Sequence, residues 1–422
     1  MDVMLVWALA GLIAITLMPL ALTNWRIAWT LYLLCLACNG LSITLGPASF
    51  RIDLLALPLL IAVAVAGRSE SRPRPRYVVV ATGALTVWIT VGMISSAINA
   101  PDPIPSFGVI AWISLGVLTL LVVLNAGTSA KELVRVGTVP LALLSALFAI
   151  SWMLHQVAGL ETPFVIAGDD GLSRIVGLAF EPNIFGALTT LWIALVVYWR
   201  KDLSRSTFLW STLIGLASVL TMTRAAWVAL VIVMLPVILS HVGKFLRAVL
   251  LVGVGVMAFP DAWALVGTPF VERLSRLGDL ESGTAAFRIG SWRMAMSDVE
   301  MSGNHAFGLG VNTFSQRHSL AVDAKQTDYL SNAWIAQLHD VGIVGTAALA
   351  IALFALWSST ARRRESLPFF IAFVLTSGLT SGLWFAFPWL MMGLFDYRRQ
   401  EVEPDDLRVA PLASERRLHV HE

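Results

Sequence analysis

Long apolar runs of membrane length fill most of this sequence and restrict the folds that it can adopt. Hydrophobic residues make up 57% of the chain and charged residues 13%, whereas an average soluble domain has roughly 25% charged residues. A helix that crosses the bilayer core needs about 20 consecutive apolar residues. The chain has room for about twelve or thirteen such helices. We therefore predict an all-α, polytopic integral membrane protein.

The charges of the short loops predict which side of the membrane each loop faces. Arginine and lysine residues beside the apolar runs should be cytoplasmic by the positive-inside rule. These residues are Arg26, Arg68, Arg72, Arg74, Arg76, Lys131, Arg135, Arg200, Lys201, Arg205, Lys244, Arg247, Arg362, Arg363, Arg364, Arg398 and Arg399. The alternate loops then face outward, and the C-terminus is predicted to be cytoplasmic. The first apolar run, residues 3–22, is interpreted as a retained span because no basic segment precedes it.

One stretch of mixed polarity, residues 261–332, contrasts with the apolar segments around it and is predicted to form a large extracytoplasmic loop. Within it, residues 284–301 and 331–341 have helical patterns, and Phe287, Met294 and Met301 are expected near one face of the first helix. The sequence FGLGVNTF at residues 307–314 predicts a tight glycine turn. The predicted organisation is transmembrane helices over residues 1–260, this loop, C-terminal transmembrane helices over 333–397, and a disordered cytoplasmic tail over 398–422.

Arg174 and Arg224 lie on the outward side, where the orientation rule does not call for positive charge. Arg224 is so closely flanked by apolar residues that it must lie at or below the membrane surface. A guanidinium costs about 2.5 kcal/mol or more at the bilayer centre unless it meets an anion or a water-filled cavity. Arg288 and Arg293, on the first helix of the loop, can approach from above. Such a cluster suits a phosphate-bearing substrate, because each guanidinium can donate two hydrogen bonds and keeps its charge.

A simpler interpretation remains open for each of these arginines. The side chain could pair with a neighbour such as Glu181 or Asp298, or could extend to lipid headgroups. Glu181 itself, followed by Pro182 and Asn183, is typical of a helix start. It is either a capping residue or a catalytic carboxylate beside the helix dipole.

The remaining polar residues offer weaker signals. His339 can face the underside of the loop, but a solvated position in the last turn of a helix fits its pattern better, and His305 and His318 are interpreted as ordinary loop residues. No pair of histidines has zinc-site spacing, and no acidic cluster indicates a divalent ion. The glycine turn lacks the surroundings of a dinucleotide site. We therefore predict no metal and no cofactor.

Two further features bear on which classes of function can be excluded. Cys35 and Cys38 lie within an apolar run and are interpreted as small core residues instead of a redox or metal motif. The net charge of +2 is small, and the positive residues are spread over short loops. A nucleic-acid partner is therefore excluded.

Four stretches, taken in order, resemble the O-antigen ligase and polymerase family of bacterial envelope enzymes. They are residues 174–186, residues 221–227, the loop that opens with Arg288 and Trp292, and residues 307–314 followed by LSNAWIAQLHDVGIVG at residues 330–345. Each stretch is degenerate, and from the first to the last they span residues 173–345, about two-fifths of the chain. Their order and their shared outward face carry the resemblance.

The resemblance implies a metal-independent glycosyltransferase in the bacterial plasma membrane. Such an enzyme takes an oligosaccharide from a polyprenyl diphosphate on the outer face and passes it to a glycan or glycolipid acceptor, and its arginines hold the diphosphate. Carried onto this sequence, the catalytic candidates are Arg174, Glu181, Arg224, Arg288 and His339. The substrate-binding candidates are Asn183, Trp292, Arg293, Asn312, Ser331 and Asn332.

One departure from the family pattern affects the predicted chemistry. Where the ligases have His-Asn before the last helix of the loop, this sequence has Ser331 and Asn332, so the usual candidate base is missing. Either Glu181 or His339 takes that role, or the arginines stabilise the leaving group and the acceptor loses its proton late. The change favours a polymerase, or a ligase with a different acceptor.

Two other classes of function remain as alternatives. A transporter or flippase for lipid-linked sugars would also need a cationic cavity, but it should carry charge deep within several spans and is often built from repeated halves, which are not evident here. A purely structural scaffold would leave Arg224 unexplained.

Overall fold

The computed structural model describes residues 23–45, 48–66, 76–126, 128–167, 173–243, 283–318 and 330–397, together with the single positions 246, 247, 250, 271 and 275. Three sequence-based predictions lie outside these residues. They are the span at residues 3–22, the parts of the long loop before residue 283 and over 319–329, and the tail at 398–422.

The described chain is mostly helical, with two small antiparallel hairpins. Its helices are α1 (Trp25–Ala37), α2 (Ile52–Leu55), α3 (Leu57–Ala66), α4 (Arg76–Asn99), α5 (Pro103–Leu124), α6 (Ala130–Ala158), α7 (Pro182–Tyr198), α8 (Arg205–Leu220), α9 (Arg224–Ser240), α10 (Gly283–Ser302), α11 (Phe314–Arg317), α12 (Ala333–Ser359), α13 (Arg363–Ser377) and α14 (Ala386–Gly393), with a 3₁₀ turn over Gly382–Trp384. Strands β1 (Ser42–Leu45) and β2 (Ala48–Arg51) form one hairpin, and β3 (Val165–Ala167) and β4 (Ser173–Ile175) the other.

In the described part of the chain, four helices are long and apolar enough to cross a membrane: α4, α5, α6 and α12. The shortest has 22 residues, which at about 1.5 Å per residue spans the roughly 30 Å hydrocarbon core. Only 39% to 50% of their most apolar windows is buried inside the molecule. Much of their apolar surface therefore faces outward, as expected for contact with lipid. These helices support a membrane location, whereas the count of twelve or thirteen spans stays a prediction.

Helix α7 lies at the centre of the bundle. Of its 17 residues all except Asn183 are buried, and it packs against α8, α9, α13 and α14. The Trp192 indole nitrogen donates a hydrogen bond to Thr138 Oγ1 on α6 at 3.2 Å. The hydroxyls of Thr190 and Ser218 lie 2.7 Å apart, which joins α7 to α8. This central helix fixes the position of Glu181, the residue just before its first turn.

The helix expected over residues 284–301 forms as α10, over Gly283–Ser302. Phe287, Met294 and Met301 are seven residues apart and share one side of it. That side is largely exposed, because Phe287 is 52% exposed and Met301 is 77% exposed. The side chains that pack inward are Ser291, Ala295 and Val299, because small residues let the helix lie close to the bundle.

Helix α12 is broken at Gly342, and the glycine turn fills the break. Gly342 adopts φ 63° and ψ −166°. The amides of Leu309 and Gly310 donate to the carbonyl oxygens of His339 and Asp340, at 2.7 and 3.0 Å. In return, the amides of Ile343 and Val344 donate to the carbonyl oxygens of His305 and Ala306, at 2.9 and 3.1 Å. The glycine turn thus supplies hydrogen-bond partners for the backbone amides and carbonyls that lose their partners within the helix at the break. A helix break at membrane depth requires such partners.

We expect Gly342→Ala to destabilise the protein by about 2 to 5 kcal/mol. A Cβ at this position would lie 2.5 Å from the Ala306 carbonyl carbon, and the left-handed backbone disfavours any L side chain. The measurement is thermal unfolding in detergent micelles. The control is Gly215→Ala within α8, where an added Cβ meets no other group within 4 Å and alanine favours the helix. Equal unfolding temperatures for the two variants would contradict this account of the break.

Candidate functional site

Four charged side chains from distant parts of the sequence meet at one end of the bundle. The charge of Arg288, on α10, interacts with the charges of Glu181, Arg174 and Arg224. We call these four residues the arginine site. Its members come from β4, the start of α7, the start of α9 and α10. The structure therefore brings together four of the five predicted catalytic residues.

Glu181 stands immediately before α7 with an extended backbone, φ −149° and ψ 158°. Pro182 occupies the first turn of the helix, where its missing amide proton costs nothing. Within the described residues, the Glu181 side chain makes no capping hydrogen bond. Its Oε2 instead accepts a hydrogen bond from Asn183 Nδ2 at 3.4 Å. The capping interpretation of Glu181 is therefore wrong for its side chain, and the carboxylate belongs to the arginine site.

Arg224 follows a sharp break between α8 and α9, as the sequence predicts. Met222 has a left-handed backbone, with φ 52°. The Trp227 indole donates a hydrogen bond to the Val219 carbonyl at 2.8 Å, so the two helix ends are tied together. A cation in the first turn of a helix lies at the positive end of the helix dipole, which is unfavourable. The helix dipole therefore opposes the charge of Arg224.

The floor of the arginine site is apolar and closely packed. Ile175, Phe185 and Met222, which follow or precede the charged residues along the chain, belong to one buried cluster with Phe148 on α6. A Cβ added to Gly186 would lie 2.9 Å from Thr221 Oγ1, so α7 packs directly against the break before Arg224. The Trp152 indole donates to the Ser173 carbonyl at 3.1 Å, which holds β4 against α6. The charged groups are thus fixed on rigid elements.

Burial shapes the electrostatics of the site. Burial raises the pKa of the Glu181 carboxyl above its usual range, and the charge of Arg288 and the hydrogen bond from Asn183 only partly offset this. Burial also lowers the pKa of Arg288, with Glu181 acting in the opposite sense and Arg174 and Arg224 adding to the decrease. The site contains three guanidinium groups and one carboxylate whose charges interact through Arg288, so positive charge is in excess. A site of this kind attracts an anion.

The predicted substrate-binding residues are not all in the arginine site. Asn183 is part of it through its contact with Glu181. Arg293 is exposed on α10, and with Trp292 it lines an open groove of about 320 Å³. Asn332 caps α12, since its Oδ1 accepts from the amides of Trp334 and Ile335 at 3.0 and 3.2 Å.

Asn312 and Ser331 belong to the packing beneath α10. Asn312 has a left-handed backbone with φ 57°, and its amide donates to Asp340 Oδ2 at 2.9 Å. Ser331 is half-buried beside Leu330, whose carbonyl accepts a hydrogen bond from Ser381 Oγ at 3.2 Å. Their predicted role in binding substrate stays a prediction.

His339 lies in a second polar cluster. Its side chain is fully buried, so the solvated position expected from the sequence is wrong. Its Nδ1 lies 2.8 Å from Asp340 Oδ1, and its Nε2 lies 3.7 Å from Asp298 Oδ2. His318, interpreted as an ordinary loop residue, is 2.6 Å from the same oxygen of Asp298. We call His318, Asp298, His339 and Asp340 the histidine cluster.

Sequence reasoning also missed a buried ion pair between the end of β2 and α2. Arg51 Nε lies 3.1 Å from Asp53 Oδ1, and both side chains are almost fully buried. The Arg51 guanidinium stacks over Trp112 and Phe385 and donates to the Trp384 carbonyl at 2.7 Å. Because its hydrogen-bonding and charge partners are internal, this arginine joins the hairpin to α5 and to the 3₁₀ turn. The two-residue spacing of Arg51 and Asp53 is the sequence signal from which this ion pair could have been predicted.

Comparisons with known proteins add no relative: no protein-family model matches the chain, and no curated protein matches it. Among the described residues, no group of three or more His, Cys, Asp or Glu side chains is arranged to hold a metal ion.

Proposed function

We propose that the protein is a membrane glycosyltransferase that uses an oligosaccharide linked to a polyprenyl diphosphate. The observation that carries this proposal is that Arg288 lies close enough to Arg174, Arg224 and Glu181 for their charges to interact. A diphosphate matches three guanidinium groups in charge and in hydrogen-bonding geometry. In this proposal the site faces the outside of a bacterial plasma membrane, below a long extracytoplasmic loop, in a bundle of about twelve or thirteen spans.

In the proposed reaction, an acceptor hydroxyl oxygen attacks the anomeric carbon of the donor. The bond between that carbon and the diphosphate oxygen breaks, and its electron pair leaves with the diphosphate. The guanidinium groups stabilise the charge that develops on the leaving oxygen. The hydroxyl proton passes to Glu181, whose raised pKa makes it a stronger base than an exposed carboxylate. His339 is fully buried and held by Asp340, which favours Glu181 over His339 for this role.

The test is reconstitution of the purified protein in vesicles that contain a polyprenyl-diphosphate oligosaccharide. We expect free polyprenyl diphosphate together with a longer glycan or a glycosylated acceptor. A longer glycan would identify a polymerase, and transfer to a distinct acceptor would identify a ligase. Movement of intact lipid-linked sugar between leaflets, without cleavage, would instead support a flippase and would contradict the proposal.

Transfer is expected to continue in the presence of a chelator. The arginine site supplies fixed positive charge where a divalent ion would otherwise neutralise the diphosphate. The measurement is the initial rate with excess EDTA, followed by back-titration with Mg²⁺ or Mn²⁺. If chelation stopped transfer and only a divalent ion restored it, the predicted metal independence would be wrong.

A further inference from the structure

The carboxylate of Asp298 joins α10 to two other elements. Its Oδ2 is 2.6 Å from Nε2 of His318, just beyond α11, and 3.7 Å from Nε2 of His339 on α12. Its side chain is only 11% exposed. One buried carboxylate thus faces two imidazole rings that belong to the underlying bundle. The contact with His318 is within hydrogen-bond distance and is directional, whereas the longer separation from His339 allows only a charge interaction when the ring is protonated.

The elements that Asp298 contacts are themselves tightly fixed. Asp340, which contacts His339, also accepts the Asn312 amide at 2.9 Å, and its backbone carbonyl accepts a hydrogen bond from Ser95 on α4 at 3.1 Å. The Val311 amide donates to Ser96 Oγ at 2.8 Å. The histidine cluster is therefore anchored to both the glycine turn and α4. It can act as a fixed support for α10.

Arg288 and Asp298 share the inward side of α10, ten positions apart, which is about 15 Å along a helix axis. Between them the contacts are made by small or apolar side chains, including Ser291 and Ala295. Trp292 and Met294 also pack there against a buried apolar cluster, but apolar packing is non-directional. The polar contacts of Asp298 would therefore fix the rotation of α10 about its axis and its position along that axis. Because the helix is rigid, the position of Arg288 would be fixed as well.

We propose that Asp298 is a positioning residue that acts through Arg288. It fixes α10 against the histidine cluster, and so holds the Arg288 guanidinium where the leaving diphosphate is expected. This inference rests on the proposed function for its kinetic readout, but the placement of α10 can be measured without any substrate.

The kinetic test is a double-mutant cycle between Asp298→Ala and Arg288→Ala. We expect Asp298→Ala alone to lower kcat/KM for transfer about 10- to 100-fold. In the Arg288→Ala background, we expect it to lower kcat/KM by less than about twofold. If the double variant lost kcat/KM by the product of the two single losses, the proposal would be overturned, because Asp298 would then act independently of Arg288. Glu300→Gln, two residues along α10, is the matched control and should keep the wild-type rate.

Asp298→Asn keeps the shape of the side chain and one acceptor oxygen, so it serves if the alanine variant folds poorly. We expect kcat/KM of Asp298→Asn to lie between the values of wild type and Asp298→Ala. Added to Arg288→Ala, Asp298→Asn should cause no further loss of kcat/KM. An asparagine variant whose loss persists in that background would contradict a role through Arg288.

The placement test uses spin labels at Phe287→Cys on α10 and Ile166→Cys on β3, with Cys35 and Cys38 replaced by alanine. Both label positions are exposed. We expect a single narrow distance distribution in this background, and a broadened or shifted one when Asp298→Ala or Asp298→Asn is added. An unchanged distribution would overturn the positioning role. If the protein showed no transferase activity while the distribution still changed, the proposed function would fail and the anchoring role would stand.

Discussion

Replacing Arg224 with alanine is expected to abolish transfer while the protein remains expressed and folded. The guanidinium enters the site from the first turn of α9, where the helix dipole disfavours a cation. A bound anion would offset this unfavourable interaction. Loss of a buried, doubly hydrogen-bonded charge partner costs about 2 to 5 kcal/mol, which corresponds to roughly thirty- to several-thousand-fold in rate.

The lysine variant separates anion binding from contact with lipid headgroups. Arg224→Lys keeps the charge but loses the planar, two-pronged donor geometry, so we expect it to recover little activity. An arginine that only reached for headgroups could be replaced by lysine without loss. Initial rates should be compared with those of Arg205→Ala, a change at an exposed arginine that begins the preceding helix. Full activity of Arg224→Lys would contradict the hypothesis that the Arg224 guanidinium binds the diphosphate.

Local features of the fold were predictable because they depend on short stretches of sequence. The break between α8 and α9, the start of α7 at Pro182 and the glycine turn at residues 307–314 all follow from residue types with strong backbone preferences. Asn332 caps α12, and asparagine has the same kind of local preference for the position before a helix. The charge argument that singled out Arg174 and Arg224 was also local, because it compared each arginine with its neighbours.

The rest depends on contacts between distant segments, which a single sequence does not contain. The break of α12 at Gly342 is stabilised by the amides and carbonyls of residues 305–310, so nothing within α12 alone predicts it. His339 was misjudged for the same reason. Its surroundings are formed by Asp298 and Phe314, which reach it only in the folded bundle. The sequence of α10 alone also does not show that Ser291, Ala295 and Val299 form its inward face.

Replacing Glu181 with glutamine is expected to lower kcat about 10²- to 10⁴-fold, the usual contribution of a general base. Glutamine keeps the shape and the contact with Asn183 but cannot accept the proton of the acceptor hydroxyl. A carboxylate that only balanced the charge of the arginines predicts a different result. Its removal would strengthen diphosphate binding and leave kcat nearly unchanged, so kcat and the donor KM must be measured separately. Glu161→Gln, a change at an exposed glutamate on the loop after α6, is the control.

The pH dependence provides a second, independent test of Glu181. Burial raises the pKa of this carboxyl above its usual range, and only the ionised form can act as a base. The wild-type rate should therefore rise with pH through the raised pKa of Glu181, and the small residual rate of Glu181→Gln should lack that step. A step that persisted in the glutamine variant would assign the base to another group.

Protein stability should respond to Glu181 in the opposite direction from activity. A carboxyl with a raised folded-state pKa binds its proton more tightly in the folded than in the unfolded protein. The stabilisation from this protonation is fully present below the unfolded-state pKa and is lost as the pH rises through the folded-state value. At neutral pH the wild type therefore holds an ionised carboxylate that folding disfavours, and Glu181→Gln should unfold at the same temperature as wild type or higher. A glutamine variant that lost both activity and thermal stability would identify Glu181 as a structural partner of the arginines, not as the base.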